Sequence, residues 1–409
     1  MVARFVPLLK IKRRGVVWLR VALGTLLSGA ACAASVTTTS NAGGDDPEVE
    51  LARWSPGLEA TSPSCWQEGE LDAACLRTRY EHVPRQWPAP DMDEAERWLE
   101  WGPIPGPGSD AQHEAAQDAS NKQIVALGAR LFFDKRLSRR QQISCASCHQ
   151  PDKSFSDGKA LAIGEDGLMG KRRTPPLFAA PFAKDLFWDG RVQTLQDQVL
   201  GPIENPVEMN HALRDLIVRL RTLDDYPQAF QQAFGPAWNA GVDAQGLARA
   251  LAAYVVTLRP AATRFDDFLA GNVAALNDQE LTGLHLFRTK ARCMNCHNGP
   301  LLTDNRFHNI GLSFYGRRLQ DLGRFEWSRD PADLGLFRTP SLRNVARAGP
   351  WMHNGLFPSL EGVVRMYDAG MIPDAGQAGP LIPRKSPRIR KLNLSEAEIQ
   401  ALLAFLQVL

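Results

Sequence analysis

The chain has 409 residues with 44% hydrophobic content, enough for two or three packed domains, since a single core rarely grows beyond about 250 to 300 residues. Lys plus Arg (47) and Asp plus Glu (45) nearly cancel, so no overall field of one sign argues for nucleic acid or an anionic membrane as partner, and both are set aside. The 33 Gly and 28 Pro imply many turns between short elements rather than a long-helix bundle.

Residues 1–34 read as an export signal. Lys10, Lys12, Arg13, Arg14 and Arg20 form a basic region around the start of an apolar run, Val21 to Ala31, which ends in small residues and is too short to span a bilayer stably. Cleavage could follow Ala31-Cys32-Ala33, or Ser28-Gly29-Ala30-Ala31-Cys32 could serve as a lipoprotein box that leaves Cys32 acylated. Simple secretion is the preferred reading, because the box lacks its usual Leu three before the Cys. The expected location is therefore the periplasm, with a lipid anchor through Cys32 as the variant.

Residues 35–120 are rich in Pro, Gly, Trp and acidic side chains with weak periodicity, and read as an irregular leader. In an oxidising compartment its Cys65 and Cys75 would close a short loop as a disulfide; two free thiols are the alternative. Ordered packing is expected from Ile124, Leu127, Leu131 and Phe132, which recur at helical spacing and lead into Cys145-Ala146-Ser147-Cys148-His149. Helices are expected over 213–223 and 247–258. Another begins at Asn277, with Glu280 three residues on as in a capping box, and runs into Cys293-Met294-Asn295-Cys296-His297. The two stretches echo one another. Gly128-x-x-Leu131-Phe132 precedes the first motif, Gly283-x-x-Leu286-Phe287 the second, and Asp157 and Asp304 follow at nearly equal offsets, so an internal duplication is expected. Ser395 to Glu398 form a capping box before an amphipathic terminal helix, and no period-2 sheet pattern stands out.

In C-x-x-C-H two thiols add to the vinyl groups of a haem and the adjacent His is aimed at its iron. One match arises by chance in roughly one sequence in a few hundred of this length; two are not an accident. C-x-x-C pairs also build zinc ribbons, but those pairs lie close together in a small domain, whereas these lie far apart and each carries an immediate His. The expectation is two covalent c-type haems, one on Cys145 and Cys148 with His149 as ligand, the other on Cys293 and Cys296 with His297. The fold class that follows is mainly α, with two tandem cytochrome c-like haem domains, 121–276 and 277–409.

Several longer motifs occur in a fixed order: Leu131-Phe132-Phe133-Asp134-x-Arg136-Leu137-Ser138, Phe187-Trp188-Asp189-Gly190-Arg191, Leu195-x-x-Gln198, Pro206-Val207-Glu208-Met209, Phe307-His308-Asn309-x-Gly311, Pro340-Ser341-Leu342-Arg343-Asn344-Val345 and Pro350-Trp351-Met352-His353-Asn354-Gly355. Over Ile124 to Leu409 the chain resembles the di-haem cytochrome c peroxidase and MauG family. The resemblance implies a first haem where peroxide reacts and a second that passes electrons. It matches Glu208 to the carboxylate over the reactive haem, Gln198 to its pocket neighbour and Trp188 to the residue between the haems. A positioned carboxylate suits the chemistry, since splitting the O–O bond needs a group that takes one proton and returns it to the leaving oxygen.

Departures from the family pattern sort its branches. Where many members carry a His that closes the first haem, this chain has Glu165, so an open first site is expected. At the position of the second haem's sixth ligand, usually Met, stands Tyr367, as in MauG; Met366 and Met352 are the competing ligands. Ala291 replaces the surface Trp through which MauG is thought to oxidise its partner. Arg173 replaces an Asn of the family's calcium site, which leaves calcium occupancy open and allows the arginine to act in its place. His308 and His353 read as polar neighbours of haem, while His82, His113, His211 and His285 receive no role.

The implied activity is reduction of hydrogen peroxide with electrons from a small cytochrome c or copper protein. A MauG-like oxidation of a protein or other large partner through a high-valent di-haem state is the first alternative, and a non-catalytic di-haem electron carrier the second. The resemblance also leaves room for a homodimer.

Overall fold

The structure, a computed structural model, describes residues 65–93, 98–106, 112–236, 238–372 and 381–409. The export signal, Cys32 and the beginning of the leader lie outside the described residues. No helix among those described is long and apolar enough to cross a membrane.

The expected mainly α architecture is what the chain adopts. Its strands amount to two short antiparallel pairs among the described residues, Trp66–Gln67 with Glu70–Leu71 and Phe307–His308 with Phe337–Arg338. Helices gather around two hydrophobic cores. The first holds His113–Ala119, Lys122–Phe133, Leu195–Glu204, Leu213–Thr222, Asp225–Phe234 and Ala244–Thr257. The second holds Ala73–Arg79, Arg264–Leu269, Asp278–Arg288, Leu360–Asp368 and Glu396–Gln407.

Each core is built on the same helix crossing, and the sequence echo explains why. Asn121 accepts from the Gln123 and Ile124 amides to start Lys122–Phe133, whose Leu127, Leu131 and Phe132 turn inward. Asn277 and Glu280 form the expected capping box ahead of Asp278–Arg288, and Ser395 with Glu398 forms another ahead of Glu396–Gln407. A Cβ on Gly128 would lie 1.9 Å from the Ala250 carbonyl oxygen, and one on Gly283 would lie 1.9 Å from that of Ala401. Both crossings thus bring backbone against backbone at a glycine, which fixes the following cysteine motif at the same place on each unit.

Two boundaries differ from expectation. His113–Ala119 packs into the first core through Ala115 and so belongs with it rather than with the leader. Arg264–Leu269 buries Phe265, Phe268 and Leu269 in the second core, so that core begins ahead of residue 277.

The leader differs more. Residues 65–93 and 98–106, expected as part of an irregular extension, dock on the second core through Cys65, Leu76, Tyr80, Trp87 and Trp101. Cys65 and Cys75 form the disulfide. Trp101 sits among Phe265, Phe287 and Phe405 with ring centroids 5.4, 5.5 and 5.8 Å away, and Tyr80 shares a 2.8 Å hydrogen bond with His285. Burial and the charges of Arg79 and Arg288 push His285 down to about 4, so at neutral pH it meets Tyr80 as a neutral ring. Apolar residues spaced irregularly along a strap have no period to detect, which is why sequence patterning missed this docking.

The strap is locked by Glu100, whose carboxylate takes both terminal nitrogens of the fully buried Arg288 at 2.6 and 2.9 Å. Removing one partner of such a pair strands the other charge, so Glu100→Ala is expected to cost about 3–5 kcal/mol. Chemical denaturation would show it as a lowered midpoint, with Glu81→Ala, at an exposed position, shifting stability by less than about 0.5 kcal/mol as the control.

Candidate functional site

The first motif begins on a short helical turn, Cys145–Cys148, capped reciprocally by Ser144 and Ser147. His149 follows, with its Nδ1 2.8 Å from the Phe155 carbonyl. A carbonyl only accepts, so Nδ1 carries the proton and Nε2 is left with a lone pair for a metal. Burial pushes this imidazole down, against the pull of the Phe155 and Pro175 carbonyls, so it stays neutral. Burial also pushes the thiols up, Cys145 to about 12 and Cys148 to about 11.

Glu208 reaches this motif from the turn after Leu195–Glu204. Its negative charge is one of the influences raising both thiols. Burial raises its own carboxyl above the usual range, opposed by a 2.6 Å bond from Asn205 Nδ2 to Oε1 and by Arg191. Gln198, on the same helix, holds a buried Oε1 with no hydrogen-bond partner among the described residues. Glu165 lies beside Glu208: its N–H donates to the Glu208 carbonyl at 2.8 Å and its Oε1 accepts from the Arg140 amide at 2.8 Å. The approach is so close that a Cβ on Gly164 would fall 2.2 Å from the Val207 carbonyl oxygen.

The second motif repeats the arrangement. His297 Nδ1 lies 3.0 Å from the Leu302 carbonyl, and burial again keeps the ring neutral against the Leu302 and Pro340 carbonyls. Cys293, Cys296 and His297 line a cavity whose walls are largely apolar. Tyr367 lines the same cavity. Burial first, and then the charges of Cys296 and Cys293, push its phenol well above the ordinary range. Met352 also lines the cavity, whereas Met366 does not. Ala291, at the place of the missing surface Trp, is buried. The strap bears on this motif directly: Asn295 bonds the Asp91 carbonyl and the Asp93 amide, and Trp101 Nε1 reaches the His297 carbonyl at 3.3 Å.

Trp188 stands where the two units meet. Its indole donates to the Arg173 carbonyl at 3.1 Å, and its own carbonyl accepts from the Arg338 amide at 2.8 Å. These arginines occupy equivalent places in Arg173-Thr174-Pro175 and Arg338-Thr339-Pro340, a repeat visible in the sequence that motif reading did not pair. Both line the second cavity, and burial pushes each guanidinium down to about 10. The Arg173 guanidinium donates to the Ala348 carbonyl and to Ser156 Oγ, so a protein cation engages the oxygens beside it. His353 stacks on Phe337 at 3.6 Å and meets Trp188 edge-on at 6.3 Å, with its Nε2 buried and without a partner among the described residues. His308 bonds Asp304 at 2.7 Å, and His211 bonds the Leu137 carbonyl at 2.9 Å.

The residues fit haem. Each motif offers two thiols and one neutral imidazole with a fixed tautomer, the second faces a largely apolar cavity, and His353 leaves a buried polar atom without a partner among the described residues in that cavity.

Comparison with known proteins agrees with this chemistry. The family profile described as di-haem cytochrome c peroxidase matches residues 122–274. The chain is 34% identical over 337 residues to cytochrome-c peroxidase IdrP1 of Denitromonas iodatirespirans, covering 75% of this chain and 85% of that protein. It is 36% identical over 291 residues to methylamine utilization protein MauG of Methylophilus methylotrophus, covering 70% and 82%. Among solved structures it resembles a MauG-like protein associated with microbial copper homeostasis, with a TM-score of 0.64 and 30% identity over 77% of this chain and 94% of that one.

Proposed function

The chain belongs to the di-haem cytochrome c peroxidase family, whose members are haem-dependent oxidoreductases, and from that premise we propose that it is an exported, periplasmic peroxidase that reduces hydrogen peroxide to water. In this reading Cys145, Cys148, Cys293 and Cys296 hold two haems as thioethers, and His149 and His297 ligate them. Peroxide is reduced at the first site, with electrons relayed by the second from a small cytochrome c or copper protein. Bound haem supplies the redox chemistry. The chain supplies proton handling and position.

The observation that carries the reading is Glu208, a half-buried carboxyl near enough to both first-motif thiols for its charge to act on them, with its own proton affinity raised by burial. Asn205 fixes Oε1, which leaves Oε2 to accept a proton from one peroxide oxygen and return it to the other. Gln198, whose Oε1 is buried and without a partner among the described residues, would in this reading accept a hydrogen bond from the substrate. Glu165, tied to the Arg140 amide and close to Glu208, fills the loop position where a closing ligand would stand. Trp188, bonded to both repeat segments, would in this reading carry electrons between the sites.

The direct test mixes the haem-loaded protein with hydrogen peroxide and a reduced small cytochrome or copper protein and follows donor oxidation. Rapid stoichiometric turnover, two electrons per peroxide, is expected; no reaction would leave the electron-carrier reading standing. A second reading, MauG-like oxidation of a protein partner, is favoured by Tyr367 in the second cavity. It predicts slow turnover with small donors together with peroxide-dependent modification of a partner.

A further inference from the structure

We propose that the irregular segment Leu381–Lys391, at the second cavity, is the docking surface for an acidic electron-donor protein. The inference rests on the peroxidase reading above, in which electrons enter through the second site. Although the chain as a whole is nearly neutral, Arg384, Lys385, Arg388, Arg390 and Lys391 put five cations into one short stretch, and no carboxylate lies between residues 381 and 395.

The segment is held in place. The Ser386 amide donates to the Asn309 carbonyl at 2.8 Å, the Leu392 amide to that of Asp368 at 3.0 Å, and Lys385 Nζ to that of Gly370 at 2.7 Å. Its charges therefore form a fixed field rather than a loose tail. It is also continuous with the haem site, because Arg388, Ile389 and Arg390 line the cavity that contains Cys293, Cys296 and His297.

Ile382 is 72% exposed on this segment, the most exposed large hydrophobic side chain among the described residues, and Arg384, Arg390 and Lys391 are exposed with it. An apolar contact within charge of one sign is what a transient electron-transfer encounter uses. The charge steers the partner in and the small apolar contact seats it without tight binding. Two neighbouring acids offset part of this field: Asp93, paired with Arg292 and 3.9 Å from Arg390, and Asp368, whose carboxylate accepts from the Leu394 amide at 2.8 Å. Arg388 and Arg390 line the cavity and would be available to the two carboxylates of a bound haem. Arg384 and Lys391 lie outside the cavity lining, are exposed, and keep their charge for a partner, while Lys385 is engaged with the Gly370 carbonyl. Each docked donor gives one electron, and two such transfers with two protons convert one peroxide to two waters.

Isothermal titration of the haem-loaded ferric protein with a copper protein or cytochrome c of net negative charge tests this, with a basic cytochrome c as the comparison. The acidic protein is expected to bind, to weaken steeply between about 0.02 and 0.2 M salt, and to lose affinity roughly tenfold or more in the double variant Arg384→Glu, Lys391→Glu. Equal affinity for the variant, tighter binding of the basic protein, or capture of the segment by anionic phospholipid vesicles with no binding of the acidic protein would each overturn it. Peroxide-dependent oxidation of a small neutral reductant should be the same in both proteins. Its absence from the parent would count against the peroxidase reading, while the titration still judges the docking surface.

Discussion

Glu208→Gln is expected to lower kcat/KM for hydrogen peroxide by about 10²–10⁴-fold, the usual worth of a positioned acid–base group, while leaving haem attachment and the optical spectrum of the second site unchanged. The substitution keeps shape and the contact with Asn205 but removes the proton acceptor. The pH dependence carries a further signature. Burial raises the Glu208 carboxyl above its ordinary range, so the parent's activity should climb with pH through that raised value, and the variant should lose this limb. Stability should move the other way. A carboxyl whose folded pKa lies above its unfolded one stabilises the fold below the unfolded pKa, and that contribution is lost as pH rises through the folded value. An amide side chain does not ionise and carries no such penalty, so the variant should gain stability relative to the parent at pH 7 and not at pH 4. A parallel loss of activity and stability would mean that Glu208 only supports the loop against Gly164.

What the sequence made legible was whatever has a local period or a fixed spacing. Asn277 with Glu280 and Ser395 with Glu398 announce helix starts because capping acts within four residues. Gly128 and Gly283 were visible as an echo, and the structure supplies its cause in the backbone contacts with Ala250 and Ala401. The strap was not legible, because Trp87 and Trp101 are placed by contacts with Phe265, Phe268, Phe287 and Phe405, far away in sequence. Glu208 alone would have read as a loop acid; its burial comes from a segment pressed against Gly164 and Glu165, which no spacing rule encodes. The Arg-Thr-Pro pair at 173–175 and 338–340 was in plain view, but it gains meaning only once Trp188 is seen bonded to both. The five cations of 384–391 were likewise hidden by a whole-chain charge near zero.

Tyr367→Met is expected to raise the reduction potential of the second haem by on the order of 0.1 V, within the roughly 0.8 V that axial ligands span. The argument begins with the helix Leu360–Asp368, which carries Tyr367 into the cavity of Cys293, Cys296 and His297. Burial holds that phenol protonated far above the ordinary range, so only a strong electrophile such as ferric iron can displace its proton, and phenolate then favours the ferric state over a thioether. Proton release on binding ties the potential to pH. Spectroelectrochemistry should therefore show a pH-dependent potential in the parent and a higher, flatter one in the Met variant, with Tyr367→Phe leaving that iron without the phenolate donor. Met352 is the competitor, since it lines the same cavity. If it is the ligand, Tyr367→Met will leave the low-spin signal and potential unchanged while Met352→Leu alters both. That outcome would also remove the main support for the partner-oxidising reading, because thioether ligation destabilises the oxidised states in which two linked haems share the equivalents taken from peroxide.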